Sequence, residues 1–144
     1  HGFRAIAPDL PRAGDRRHFL EGLAGSLGLL PGGTKIAIVA ASMGGSYALP
    51  FVVEHPDLVS GYVSVAGSTD ELRGVGSKLG TPTLAVFGEE DSRYRGGGGY
   101  AAYTEKIRHT QLYVFRGAPH ACYLRDVQAA REFSSLVLRF VGGE

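Results

Sequence analysis

Apolar and polar positions along the chain fall into short blocks that change period. Lys35-Ile36-Ala37-Ile38-Val39 is a brief, β-branched apolar run, the pattern of a fully buried strand. Residues 46–55 follow with a helical pattern, and Pro50 inside it predicts a kink. Upstream, Phe3-Arg4-Ala5-Ile6-Ala7 reads as a short strand, stopped by Pro8-Asp9-Leu10-Pro11. Residues 17–30 place Phe19, Leu20, Leu23, Ala24, Leu27 and Leu30 three and four apart, which predicts an amphipathic helix ended by Pro31-Gly32-Gly33. Downstream, residues 61–66 and 83–87 read as strands, separated by a loop-and-turn stretch over 67–81. Residues 92–99 read as a loop. Its glycine run, Gly96 to Gly99, is expected to be a mobile surface segment, because no Lys or Thr stands beside it to make a phosphate cradle. A helix over 100–108, a strand over 111–115 and a loop over 116–124 follow. A last helix starts at Asp126, with Val127, Ala130, Phe133, Leu136, Val137 and Phe140 on its apolar face, and ends at Gly142-Gly143.

Apolar strands that alternate with helices predict an α/β fold, a mostly parallel sheet covered by helices on both faces. The 144 residues suit a single domain over 1–144. In such sheets ligands bind beyond the carboxyl ends of the strands. Three residues capable of chemistry fall there, in the order Ser42, Asp91, His120. Ser42 stands where a strand turns directly into a helix, with small residues at Ala40, Gly44 and Gly45 around it. That is the local pattern of a nucleophile elbow, in which a strained turn lifts the serine oxygen clear of the sheet. Ala40 replaces the usual first glycine, so the local match is weaker than a full G-x-S-x-G.

A serine hydroxyl is a poor nucleophile until a base takes its proton. Histidine is suited to that near neutral pH, and a carboxylate orients the imidazole and stabilises its cation. Ser, acid, His is also the chain order expected of α/β-hydrolases. Glu89 and Glu90 compete for the acid's role; Asp91 is preferred because it lies furthest past the strand end. Cys122, two residues from His120, is an alternative nucleophile but has no strand–turn–helix launch. His1, His18, His55 and His109 read as surface or terminal residues.

Composition narrows the setting. Hydrophobic content of 44% with 20% charged residues fits a soluble globular protein. A net charge of +1 gives no reason to expect a nucleic-acid partner. No run of about 18 apolar residues is present, so no membrane segment is expected. The single cysteine excludes an internal disulfide and suits a reducing compartment, cytoplasmic or nuclear. A start at His1-Gly2-Phe3, without Met and almost directly in a strand pattern, reads as a chain that enters a domain partway. Any targeting segment before it would lie outside this sequence.

Four stretches carry a resemblance that spans nearly the whole chain. They are Gly2-Phe3-Arg4-Ala5-Ile6-Ala7-Pro8-Asp9-Leu10-Pro11, Ser42-Met43-Gly44-Gly45-Ser46-Tyr47-Ala48-Leu49-Pro50-Phe51, Thr81-Pro82-Thr83-Leu84-Ala85-Val86-Phe87-Gly88 and His120-Ala121-Cys122-Tyr123-Leu124. In these the chain resembles the small, lidless α/β-hydrolases of the "interacting factor B" type. The resemblance implies the α/β-hydrolase fold, with Ser42, Asp91 and His120 as a triad and the Met43 N–H as one oxyanion donor. It implies hydrolysis of small acyl esters, or acyl transfer, with no metal or organic cofactor. Family links to transcription-factor binding and to lysine deacetylation leave room for a protein partner. The family's sheet has further strands before the one matched by residues 3–7, and the loop after its third strand supplies a second oxyanion N–H. By this resemblance the sequence is expected to start after those first strands. Losing one such donor costs about 100–1,000-fold in rate. Residues 3–7 would then lack a neighbour or shift against residues 35–39. The alternative to an enzyme is therefore a non-catalytic interaction module that retains the triad.

Overall fold

The computed structural model describes residues 2–30, 33–67, 69–74, 79–95 and 98–143. Its centre is a four-stranded sheet in the order β1 (Ile36–Ala41), β2 (Val59–Val65), β3 (Thr83–Gly88), β4 (Thr110–Phe115). All three pairings are parallel, so the carboxyl ends of the strands share one rim. In register, Ala41 lies opposite Val65, Val65 opposite Val86, and Gly88 opposite Phe115.

The two central strands bury both faces. On one face Tyr62, Ala85 and Phe87 meet Leu49, Phe51 and Val52 from α2 (Gly45–Glu54) and Tyr103 from α4 (Gly98–Lys106), with Ala24 of α1 (Phe19–Ser26) completing the layer. On the other, Val63, Val65, Leu84 and Val86 meet α5 (Val127–Gly142) through Ala129, Phe133, Leu136, Val137 and Phe140. Gly61 lets the Phe140 ring lie against β2, where a Cβ would stand 3.1 Å from it. A further four-residue helix, α3 (Ser92–Arg95), follows β3. Among the described residues no helix is long and apolar enough to cross a membrane.

The loop expected over 92–99 opens instead with the helix α3, and three further expectations are corrected. Residues 3–7 form no strand; they are irregular and exposed, Phe3 by 56% and Ile6 by 47%. An extended segment is stable as a strand only when a neighbour takes its N–H and C=O groups, and residues 3–7 pair neither with β1 nor with another described strand. The segment is instead fastened at its far end, where the buried Tyr47 hydroxyl donates to the Pro11 carbonyl. Second, β1 is an edge strand and not a fully buried one. Among the described residues it pairs with β2 alone, and Val39 is 48% exposed while Ala40 is buried. Third, the first helix stops at Ser26, before Pro31. Gly28 takes a left-handed φ of +68°, its N–H donates to Gly25, and the Leu29 N–H donates to Ala24. This is a Schellman ending, which needs a residue without a Cβ at that turn. Leu29 and Leu30 still pack on the core, so the apolar spacing outlasts the helix. Of the glycine run, Gly96 and Gly97 lie outside the described residues, and α4 already begins at Gly98.

Helix α5 is capped at both ends. Asp126 accepts from the Ala129 N–H at 2.7 Å, and Gly143 closes the helix at φ +80°. That backbone hydrogen bond, with Arg125 beside it, holds the Asp126 carboxyl below its ordinary value of 3.8. A depressed carboxyl stabilises the fold above its unfolded value and loses that effect as pH falls through the folded value. Asp126→Ala should therefore lower the melting temperature at neutral pH. The gap to wild type should close as the buffer is taken below pH 3.8, which melting curves across an acid series will check.

Candidate active site

Strand β1 delivers the chain to Ser42 in extended conformation, with Ala41 at φ −108° and ψ 136°. Ser42 then turns left-handed, at φ +47°, and opens a single 3-10 turn, Ser42–Gly44, that leads into α2. A non-glycine residue in that region costs about 1–3 kcal/mol and persists only where its surroundings fix it. The small neighbours explain how the turn closes. A Cβ placed on Gly44 would lie 3.7 Å from the Ala40 methyl, so alanine fits at position 40 and a larger side chain would press on the turn.

Beyond β3, Glu89 and Glu90 form the turn and Asp91 folds back, its N–H on the Gly88 carbonyl. Asp91 is 3% exposed. Its carbonyl caps α3 by accepting from Tyr94 and Arg95, and its Oδ1 accepts from the Arg93 N–H at 2.9 Å. Beyond β4, Gly117 turns at φ +58° and Ala118 is fully buried. His120 then projects with its side chain 44% exposed.

These three loops bring the expected residues together. His120 Nδ1 lies 2.8 Å from Asp91 Oδ2, and His120 Nε2 lies 2.8 Å from Ser42 Oγ. An ionised carboxylate only accepts hydrogen bonds, so the proton belongs on Nδ1. That leaves the Nε2 lone pair to accept from the serine hydroxyl. Met43, next to Ser42, is 51% exposed, and the group opens to solvent on that side.

The competing residues have other places. Glu89 Oε2 accepts from the Gly117 N–H at 2.7 Å, so this carboxylate braces the loop that carries His120 and does not face the imidazole. Glu90 is exposed and donates its N–H to the Ala118 carbonyl. Cys122 is fully buried, and that burial pushes its thiol pKa up, which makes the reactive thiolate scarce. His18 pairs with Asp15, His55 stacks on Phe51, and His1 lies outside the described residues. Among the described residues, one set of donor atoms is close enough for a metal ion: His18, Glu21 and Glu54, all within 4.8 Å of one another. It shares no residue with the Ser42 group. The Arg17 guanidinium already sits 2.6 Å from Glu54.

Sequence reading missed Gly88. A Cβ there would stand 2.1 Å from the Pro119 carbonyl oxygen and 2.3 Å from that of Ala118. The Asp91 and His120 loops touch backbone to backbone at this point. A glycine at a strand end followed by acids was the available signal, but nothing local says that another loop must pass so close.

This wound parallel sheet, with a serine at its strand–helix turn, is the α/β-hydrolase fold. Among curated relatives it is 31% identical over 139 residues to the rat (Rattus norvegicus) protein named "Putative protein-lysine deacylase ABHD14B", covering 85% of this chain and 63% of that one. It is 29% identical over 145 residues to rat "Protein ABHD14A", covering 89% of this chain and 56% of that one. The chain thus spans a little over half to under two thirds of these relatives' length. Among solved structures it is similar to a "predicted CIB-like hydrolase" from Thermoplasma acidophilum, with TM-score 0.73, 23% identity, and coverage of 90% of this chain and 59% of that one. A thermophilic esterase gives TM-score 0.69 at 18% identity, with 93% and 77% covered. These two likenesses concern the fold. No protein-family model matches the chain.

Gly88→Ala should destabilise the protein by about 1–3 kcal/mol, the usual range for forcing extra volume into a packed contact. Urea unfolding of the variant beside Gly80→Ala, where a Cβ meets nothing within 4 Å, will measure it.

Proposed function

We propose that the protein is a serine hydrolase acting on small acyl esters, or transferring their acyl groups, through an acyl-enzyme. The observation that carries this is the unbroken path of hydrogen bonds from Ser42 through His120 to Asp91. Ser42 Oγ attacks the acyl carbon as its proton passes to His120 Nε2. The new C–O bond pushes the carbonyl electrons onto oxygen. The Met43 N–H, at the first turn before α2, donates to that oxyanion, helped by the positive end of the helix. Collapse expels the leaving group, which takes the proton from His120. Water or another acceptor, deprotonated by the same imidazole, then releases the acyl group. Asp91 keeps the imidazole in the Nδ1–H form and offsets its positive charge.

The name of the ABHD14B relative extends the acyl donors to acylated lysine side chains of a protein partner. An open rim suits such a substrate, since a side chain presented by a folded protein must enter without a lid in the way. No metal or organic cofactor has a step in this scheme. A single cysteine, buried and reduced, fits work in the cytoplasm or nucleus.

A second reading, a non-catalytic interaction module, draws on there being one oxyanion donor, the Met43 N–H, in this scheme. Labelling separates the two. A fluorophosphonate probe should modify Ser42, and Ser42→Ala should abolish both labelling and ester turnover. Asp91→Asn should lower kcat by about 10⁴-fold, the scale seen when a triad imidazole loses its orienting acid. A folded chain that takes no label sends the function to the second reading. Cys122→Ala should label and turn over as wild type does, and loss of both on that change would move the nucleophile to the thiol.

A further inference from the structure

The three site residues come from β1, β3 and β4, yet β2 lies between the first and the other two. Something must fix the rim across that strand. Arg93 is placed to do so. Its backbone N–H donates to Asp91 Oδ1 at 2.9 Å, and its guanidinium reaches across to donate to the carbonyl of Ala66. Ala66 is the first residue beyond β2 and is fully buried, at a left-handed φ of +48°. By register its predecessor Val65 pairs with Ala41, the residue before Ser42. The carbonyl that Arg93 holds therefore belongs to the turn alongside the serine turn. Ser42 and Ala66 are the two described non-glycine residues with positive φ, and each directly follows a strand on the same rim.

We infer that Arg93 is a positioning residue: it ties the loop of Asp91 to the end of β2 and so sets the distance between the acid–base pair and Ser42. The inference rests on the serine-hydrolase reading of this site. Asp91 has two oxygens, and their roles are divided. Oδ2 serves His120, while Oδ1 is held by the Arg93 N–H. The stem of Arg93 starts in α3, a helix of four residues that meets the core through Tyr94 and holds Glu89 through Arg95, but among the described residues has only the Arg93 guanidinium to tie it to the end of β2. Without the guanidinium anchor α3 can shift, carrying the Arg93 N–H and hence the Asp91 carboxylate with it. Arginine suits the task because its rigid fork reaches a distant carbonyl while remaining charged.

The test uses the whole chain as wild type, Arg93→Met and Arg93→Lys, with Arg131→Ala as an exposed control. Two signals are read. One is the far-downfield proton resonance of His120 Nδ1–H bound to Asp91, which does not depend on turnover. The other is the rate of fluorophosphonate labelling, with kcat and KM for a small ester. Arg93→Met should broaden or lose the resonance, and should slow labelling and kcat by about 10-fold or more at nearly constant KM, since small misplacements of catalytic groups cost up to about 100-fold. Arg93→Lys keeps a donor for the Ala66 carbonyl and should recover most of both signals. A folded Arg93→Met that keeps the resonance and labels at the wild-type rate overturns the inference while leaving the hydrolase reading intact. So does a lysine variant as impaired as the methionine one. If wild type shows the resonance but takes no label, the hydrolase reading falls and the positioning role falls with it. If Arg93→Met fails to fold, the lysine variant decides: retention of both signals supports the anchor, and their loss in a folded protein overturns it.

Discussion

The Asp91 and His120 loops meet at a point where no side chain fits. The carbonyl oxygens of Ala118 and Pro119 approach Gly88 within the space a Cβ would occupy. Three hydrogen bonds then lock the approach: Glu89 N–H to Phe115, Glu90 N–H to Ala118, and Gly117 N–H to the Glu89 carboxylate. Asp91 and His120 inherit their mutual geometry from this stitch. Asp91 can reach His120 from a buried position because both loops are already fixed to each other. Only Ser42 must be brought to the pair from outside, across β2.

Much of this was legible in the chain because each element carries its own signal. Apolar runs marked β2, β3 and β4, and period-three-and-four spacing marked α5 with its Asp126 cap. The order Ser42, Asp91, His120 was readable since each follows an apolar run that ends abruptly. The errors share one cause. Periodicity reports what a segment is made of, not what stands beside it. Lys35-Ile36-Ala37-Ile38-Val39 has the composition of a central strand, yet its position at the edge leaves Val39 48% exposed. Phe3-Arg4-Ala5-Ile6-Ala7 has strand composition and no strand partner among the described residues. The spacing of leucines past Ser26 was real, but Gly28 redirected the backbone while Leu29 and Leu30 kept packing.

Residues that act through space were the least legible. Glu89 looked like a rival to Asp91; it is a brace for Gly117. Gly88 looked like the end of a strand; it is the contact surface between two loops. Arg93 carried no pattern at all, because its partner carbonyl lies 27 residues away. A motif can be read when the backbone that shapes it is continuous. These roles arise only when the sheet aligns the ends of non-adjacent strands.

Strain and support are distributed accordingly. Ser42 and Ala66 each hold a backbone conformation worth about 1–3 kcal/mol against the fold. That sum is a sizeable part of the 5–15 kcal/mol net stability typical of a domain. Both sit at the rim, one residue past strands whose pairing fixes them. The opposing contribution comes from the middle of the sheet, where Tyr62, Val63, Leu84, Ala85, Val86 and Phe87 are buried on both faces by helices. Burying one such large side chain is worth about 1.5–3 kcal/mol. Along β1 the faces alternate up to Ser42: Val39 faces solvent, while Ala40 on the covered face packs beneath Gly44 and supports the serine turn.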